Sequence, residues 1–150
     1  MIDSKDGYSF IRLSESDKFK AIDTIIETCH IFDCLPDRMD FKRRVHEREK
    51  LLSTGIGHGV AITHGLIPHL EHARIALGIL DEGIAFDNKY PEPVTLIFVM
   101  ASGEDHPDDY LKTMSSILRW VHDDSFNAKL KRCEFEDEKV QEFLTSVLGV

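Results

Sequence analysis

The sequence predicts an α/β fold in which sheet and helices stack as layers. Three observations carry that expectation. Apolar residues recur at three- and four-residue steps over 16–31 and 108–123, the spacing of helices that bury one face. Compact apolar runs at 73–80 and 94–101 stand between them and read as buried strands. Strands interleaved with helices favour a layered sandwich. The 150 residues fit one domain, 1–150, and 42% hydrophobic with 30% charged residues describes a soluble globular chain.

The elements follow in order. Ser14-Glu15-Ser16-Asp17 supplies an N-cap region. Phe19, Ile22, Ile25, Ile26 and Cys29 then mark the inner face of a helix over about 16–31. Cys34-Leu35-Pro36-Asp37 breaks it and opens a second helix over about 37–51. Phe41, Val45 and Leu52 mark its inner side; Lys42, Arg43, Arg44, Glu47, Arg48, Glu49 and Lys50 crowd its outer side. Residues 53–59 form a glycine-rich loop, and Val60-Ala61-Ile62 a short strand. Strands at 73–80 and 94–101 come next, the second apolar on both faces. An acidic loop with Pro107 leads to a helix over 108–123, with Leu111, Met114, Ile117, Leu118 and Val121 at helical spacing. A short helix at 125–132 and a last one at 136–148 close the chain.

Charge and composition exclude several classes. Lys+Arg is 18 against Asp+Glu 27, a net charge of −9, which disfavours nucleic acid as a partner because phosphate neutralisation drives that binding. No apolar run approaches the roughly 20 residues of a spanning helix, so no membrane insertion is expected. The first seven residues hold no apolar core of a secretory signal. Cys29, Cys34 and Cys133 are odd in number and form no CxxC, so they read as small buried hydrophobes in a reducing, cytoplasmic setting. His58, His64, His69 and His72 crowd one stretch with Glu71 nearby. Zinc needs three or four convergent ligands, and no familiar spacing completes a set, so no metal site is expected.

The informative stretch is Arg48-Glu49, then Ser53-Thr54-Gly55-Ile56-Gly57-His58-Gly59, then Val60-Ala61-Ile62-Thr63-His64-Gly65. Glycines at alternate positions let backbone approach a ligand, and successive N–H groups form an anion nest. Ser53 and Thr54 add hydroxyl donors; Arg48 adds the guanidinium suited to phosphate. A neutral imidazole at His64 is a competent nucleophile toward phosphorus. Each feature has a plainer reading: the glycines as tight turns, Arg48 as a solvated helix residue, His64 as a satisfied core histidine. The loop is neither GxxxxGK[ST] nor GxGxxG, so no nucleotide fingerprint is present.

This run closely resembles the signature R-E-x-x-x-S-T-G-I-G-x-G-x-A-I-P-H of the type-2 EIIA domains of the phosphoenolpyruvate-dependent phosphotransferase system. These are the fructose/mannitol type, including the nitrogen-regulatory EIIA proteins. The likeness continues through His72 to Phe86, Pro93-Val94-Thr95-Leu96-Ile97-Phe98 and the helix from Tyr110. It implies a mixed β-sheet with helices on both faces, a three-layer sandwich. It implies a phosphohistidine carrier that takes a phosphoryl group from an HPr-type phosphocarrier protein onto His64. That group passes to an EIIB domain or regulates a target protein, with no cofactor needed. Arg48 would pair with the phosphoryl oxygens, and Thr54 matches a hydroxyl near the site. With no EIIB or membrane EIIC segment in these residues, the nitrogen-regulatory branch is preferred over sugar transport. A carrier must exclude water around its histidine, so Ile56, Ile84 and Phe86 are expected to ring it as an apolar partner surface.

Three positions depart from the family pattern. Thr63 replaces the proline before the active histidine. His58 fills a variable loop position. Tyr110-Leu111 stands where the family commonly has a second histidine, so Tyr110 is expected to face the pocket and donate a hydrogen bond without adding charge. Thr63 and Tyr110 favour a second reading, an EIIA-like interaction module with little or no phosphorylation.

Overall fold

The computed structural model describes residues 2–3, 8–51, 55–57, 59–86 and 92–121, with Glu138, Val140 and Leu144. Among the described residues six strands form one sheet: β1 (Ile2–Asp3), β2 (Tyr8–Leu13), β3 (Gly55–Gly57), β4 (Val60–Ile67), β5 (Arg74–Ile84) and β6 (Val94–Gly103). Their spatial order is β1-β2-β5-β6-β4-β3. β2 pairs with β5 and β4 with β6 in parallel; the other pairs are antiparallel, so the sheet is mixed.

Alternation along the strands sorts side chains into two cores. Ala76, Leu80, Ile97, Val99 and Ala101 face α1 (Lys18–Thr28) and α2 (Arg38–Leu51), meeting Ile22, Ile25, Phe41 and Val45. Leu77, Ile79, Leu96, Phe98 and Met100 face the other way, onto Ile117 of α3 (Pro107–Val121) and onto Val140 and Leu144. The period of two in β5 and β6 thus makes a three-layer α/β sandwich. Each fully buried aliphatic or aromatic side chain contributes about 1.5–3 kcal/mol, so both layers matter to stability.

Local chemistry starts the helices as the sequence foretells. The Asp17 carboxylate accepts from the Lys20 N–H at 3.0 Å and caps α1; Asp37 accepts from the Asp40 N–H at 3.0 Å and caps α2. α1 stops earlier than expected. Its chain turns extended at Cys29 and tightens into a 3₁₀ turn, His30–Cys34, that buries Ile31 and Phe32.

Several strands differ from expectation, among them β3, which lies in the expected loop at 53–59. β2 lies in a stretch for which the sequence assigned no element; it is a strand because β5 gives it a parallel partner from Tyr8↔Ile75 to Leu13↔Leu80. β5 continues past Leu80 to Ile84. β4 runs to Ile67 rather than ending at Ile62, so His64 lies within a strand, opposite Met100. The expected helix at 125–132 lies outside the described residues. Of the helix expected at 136–148, Glu138, Val140 and Leu144 are described and helical.

Candidate functional site

The site sits at the C-terminal side of the parallel pair β4–β6, where strand ends in α/β sheets present ligands. His64 points to the α3 side, because Val60 and Ile62, two and four residues before it, pack into that core. Its neighbour Gly65 faces the other way. A Cβ there would lie 3.0 Å from the Phe41 ring, so the missing side chain lets α2 lie flush on β4. That contact fixes the helix carrying Arg48, which runs into the edge strand β3.

Tyr110, on the first turns of α3, stacks on His64 with ring centroids 3.9 Å apart and planes 13° from parallel. His64 Nε2 and Ser102 Oγ lie 3.2 Å apart. The hydroxyl donates when the ring proton is on Nδ1 and accepts when it is on Nε2. Burial, and then the positive charge of Arg48, push the His64 pKa down to about 4. The ring is therefore neutral at pH 7 and keeps an in-plane lone pair, as a nucleophile requires. Burial raises the Tyr110 phenol above its ordinary range against an opposing pull from Arg48, so it too is neutral. The charge of Arg48 thus reaches both rings. The stacked ring covers a face of the imidazole, whereas the lone pair lies in the ring plane and outside the stack. Neutral nucleophile, cation and hydroxyl together can accept and hold a phosphoryl group.

The glycines do not form an open cradle. Gly55 and Gly57 belong to β3 and pair with Ala61 and Val60. Gly59 has φ +77°, open to glycine far more than to other residues, and its carbonyl accepts from the Thr95 and Leu96 N–H groups. Its role here is to turn β3 into β4 and clasp β6. Ser53, Thr54 and His58 lie outside the described residues.

Of the three residues expected to form the apolar ring, two lie elsewhere. Ile56 is half-buried and packs on the α3-side core with Tyr110 and Met114. Ile84 and Phe86 do not surround His64. They are 5% and 6% exposed and belong to the core under α1 and α2, on the opposite face of the sheet. Ile84 keeps the face of Leu80, four residues before it. The carbonyl of Phe86 accepts from Lys18 Nζ at 2.9 Å, and the same ammonium pairs with the buried Glu49 at 3.0 Å. Exposed apolar side chains beside the site are instead Leu66 (40%), two residues beyond His64, and Leu111 (58%), next to Tyr110.

Ser102 is the site residue the sequence reading missed. It is fully buried, and a buried hydroxyl at the end of an apolar strand demands a partner. That demand was the available signal; its answer, His64, needed the β4–β6 register. Among the described residues no three His, Cys, Asp or Glu side chains converge as a metal site. No helix among them is long and apolar enough to cross a membrane.

A mixed sheet sandwiched by helices, with a neutral histidine on a strand within the field of an arginine, defines a small three-layer α/β domain. The family model for the EIIA 2 component of the phosphoenolpyruvate-dependent sugar phosphotransferase system matches residues 5–146. The chain belongs to that family. It is 38% identical over 85 residues to the nitrogen regulatory protein of Bradyrhizobium diazoefficiens, a match covering 57% of this chain and 56% of that protein. It is 31% identical over 135 residues to the nitrogen regulatory protein of Escherichia coli, covering 88% of this chain and 80% of that protein. The crystal structure of nitrogen regulatory protein IIA-Ntr from Neisseria meningitidis shares the fold, with TM-score 0.75 at 24% identity over 91% of this chain and 92% of that one.

Proposed function

We propose that this chain is a phosphohistidine carrier. An HPr-type protein donates a phosphoryl group to His64, and the loaded domain regulates a partner protein, as a nitrogen-type EIIA, or passes the group to an EIIB domain. The observation that carries the reading is the placement of His64 on β4, with the Ser102 hydroxyl 3.2 Å from its Nε2 and Tyr110 stacked on its face, within the field of Arg48. In-line transfer between two histidines asks the protein for position and charge rather than for a cofactor. Arg48 meets the charge on the phosphoryl oxygens. Ser102 holds the ring's orientation, and Thr54 is a further hydroxyl donor suggested by the family pattern. Ile56, Leu66 and Leu111 supply the apolar rim that keeps water out of the transfer complex.

The stack of Tyr110 over His64 favours a second reading, a domain that binds partners without being loaded. One experiment separates the two. The chain is incubated with an HPr-type protein phosphorylated by its own donor enzyme. A carrier gains one phosphoryl group that acid removes and alkali does not. A binding module forms the complex and gains no mass.

A further inference from the structure

Resting on the reading of His64 as acceptor, we propose that Tyr110 sets how readily the site fills. It roofs His64 with a neutral ring and leaves the charge of the phosphoryl group to Arg48. His64 is then a weak acceptor, loaded only when most of the donor pool is phosphorylated.

Near-parallel rings 3.9 Å apart place the Tyr110 hydroxyl beside the imidazole rather than in line with its lone pairs. A phosphoryl group on a ring nitrogen lies in the imidazole plane, so the stack persists before and after loading. Burial keeps the phenol protonated, so it adds no charge to the site. Among the described residues, the following ionisable groups do not make up the difference. Arg48 on α2 acts on both rings, and His64 on β4 is neutral. Arg44 on α2 is engaged by Asp40 and Glu104. The turn into α3 carries Asp105 and His106, and the first turn of α3 carries Asp108 and Asp109, acidic groups that disfavour a further dianion at this end of the sheet. A cation at this place would add a charge-assisted bond to a phosphoryl oxygen, so a phenol that adds none leaves the loading equilibrium about tenfold lower. In the transfer, the donor's N–P bond breaks as the N–P bond to His64 forms. Each ring keeps the proton on its other nitrogen, and no further reactant enters.

The test is an equilibrium. Phosphorylated HPr-type protein is mixed with the wild type, Tyr110→His and Tyr110→Phe, and both phosphohistidines are quantified by ³¹P NMR at about pH 6.5 and about pH 8.5. Tyr110→His should shift the equilibrium toward the loaded chain about tenfold at the lower pH, where the phosphoryl dianion holds the new imidazole in its charged form against burial and Arg48, with the gain shrinking at the higher pH as that proton is lost. Tyr110→Phe, which keeps the stack, should stay within about threefold of wild type at both. Equal loading of wild type and Tyr110→His at the lower pH overturns the proposal while leaving His64 as acceptor. So does a tenfold loss in Tyr110→Phe, which would make the hydroxyl the main stabiliser. No loading in any chain overturns the reading of His64 itself, and this proposal with it.

Discussion

Replacing His64 with Gln should make the chain more resistant to acid. The folded chain keeps this imidazole neutral down to about pH 4, against 6.5 for an unperturbed ring. An unfolded chain takes up the proton first as pH falls, so the equilibrium tilts toward unfolding across that window. Above 6.5 the contribution to stability is complete; it is lost between 6.5 and about 4, and nothing further is lost below. At about 1.4 kcal/mol per pH unit, the window corresponds to at most about 3 kcal/mol, reduced by the solvent the half-buried ring still sees. Gln has no proton to gain in this range. The stability difference between wild type and His64→Gln should therefore move by up to about 3 kcal/mol in favour of the variant between about pH 7 and pH 4. Urea unfolding followed by circular dichroism at several pH values measures it, because groups that titrate alike in both chains cancel in the difference. A difference that is flat with pH would mean that His64 titrates normally in the folded chain. The argument for a neutral nucleophile would then lose its footing.

Arg48→Ala should slow loading by an HPr-type donor roughly 10–100-fold, the loss of one charge-assisted bond to phosphate, with quenched-flow phosphorylation as the readout. An unchanged rate would remove Arg48 from the site. Leu66→Ser with Leu111→Ser should weaken donor binding about tenfold or more in calorimetry and leave the midpoint of unfolding nearly unchanged, since both side chains are exposed. Ile84→Ser should do the reverse, costing about 2–4 kcal/mol of stability, because this residue is core. Lys18→Met removes one charged partner of the buried Glu49 and should destabilise the fold by about 1.5–3 kcal/mol in urea unfolding, with loss of less than about 0.5 kcal/mol contradicting a structural role for the pair.

Much of the fold was legible because its signals are local. The Asp17 and Asp37 caps and the periodicity of α1, α2 and α3 fix the helices within a few residues. The unbroken apolar run in β6 announces a strand buried on both faces. What was not legible depends on partners far along the chain. Tyr8-Ser9-Phe10-Ile11-Arg12-Leu13 holds both faces of a strand but declares itself only beside β5. The length of β4, and hence the placement of His64 inside a strand, follows from its pairing with β6 out to Ile67↔Gly103. Ile84 and Phe86 were misplaced for the same reason: an apolar residue after a strand reads alike whether it lines a site or a core, and the face is decided by how far β5 continues. The motif brought His64, Arg48 and Tyr110 under consideration together. Ser102 entered only when the sheet register set it opposite Leu66, on the face of His64.

The central claim, that His64 accepts a phosphoryl group, is tested most directly by watching the imidazoles. The chain has eight histidines, and uniform ¹⁵N labelling makes each ring visible in long-range ¹H–¹⁵N spectra. With an excess of phosphorylated HPr-type donor, one ring should show the nitrogen shift of an N-phosphorylated imidazole, and that signal should be absent in His64→Gln. A phosphorylated ring that persists in His64→Gln, or eight rings unchanged while the donor stays loaded and bound, would contradict the account.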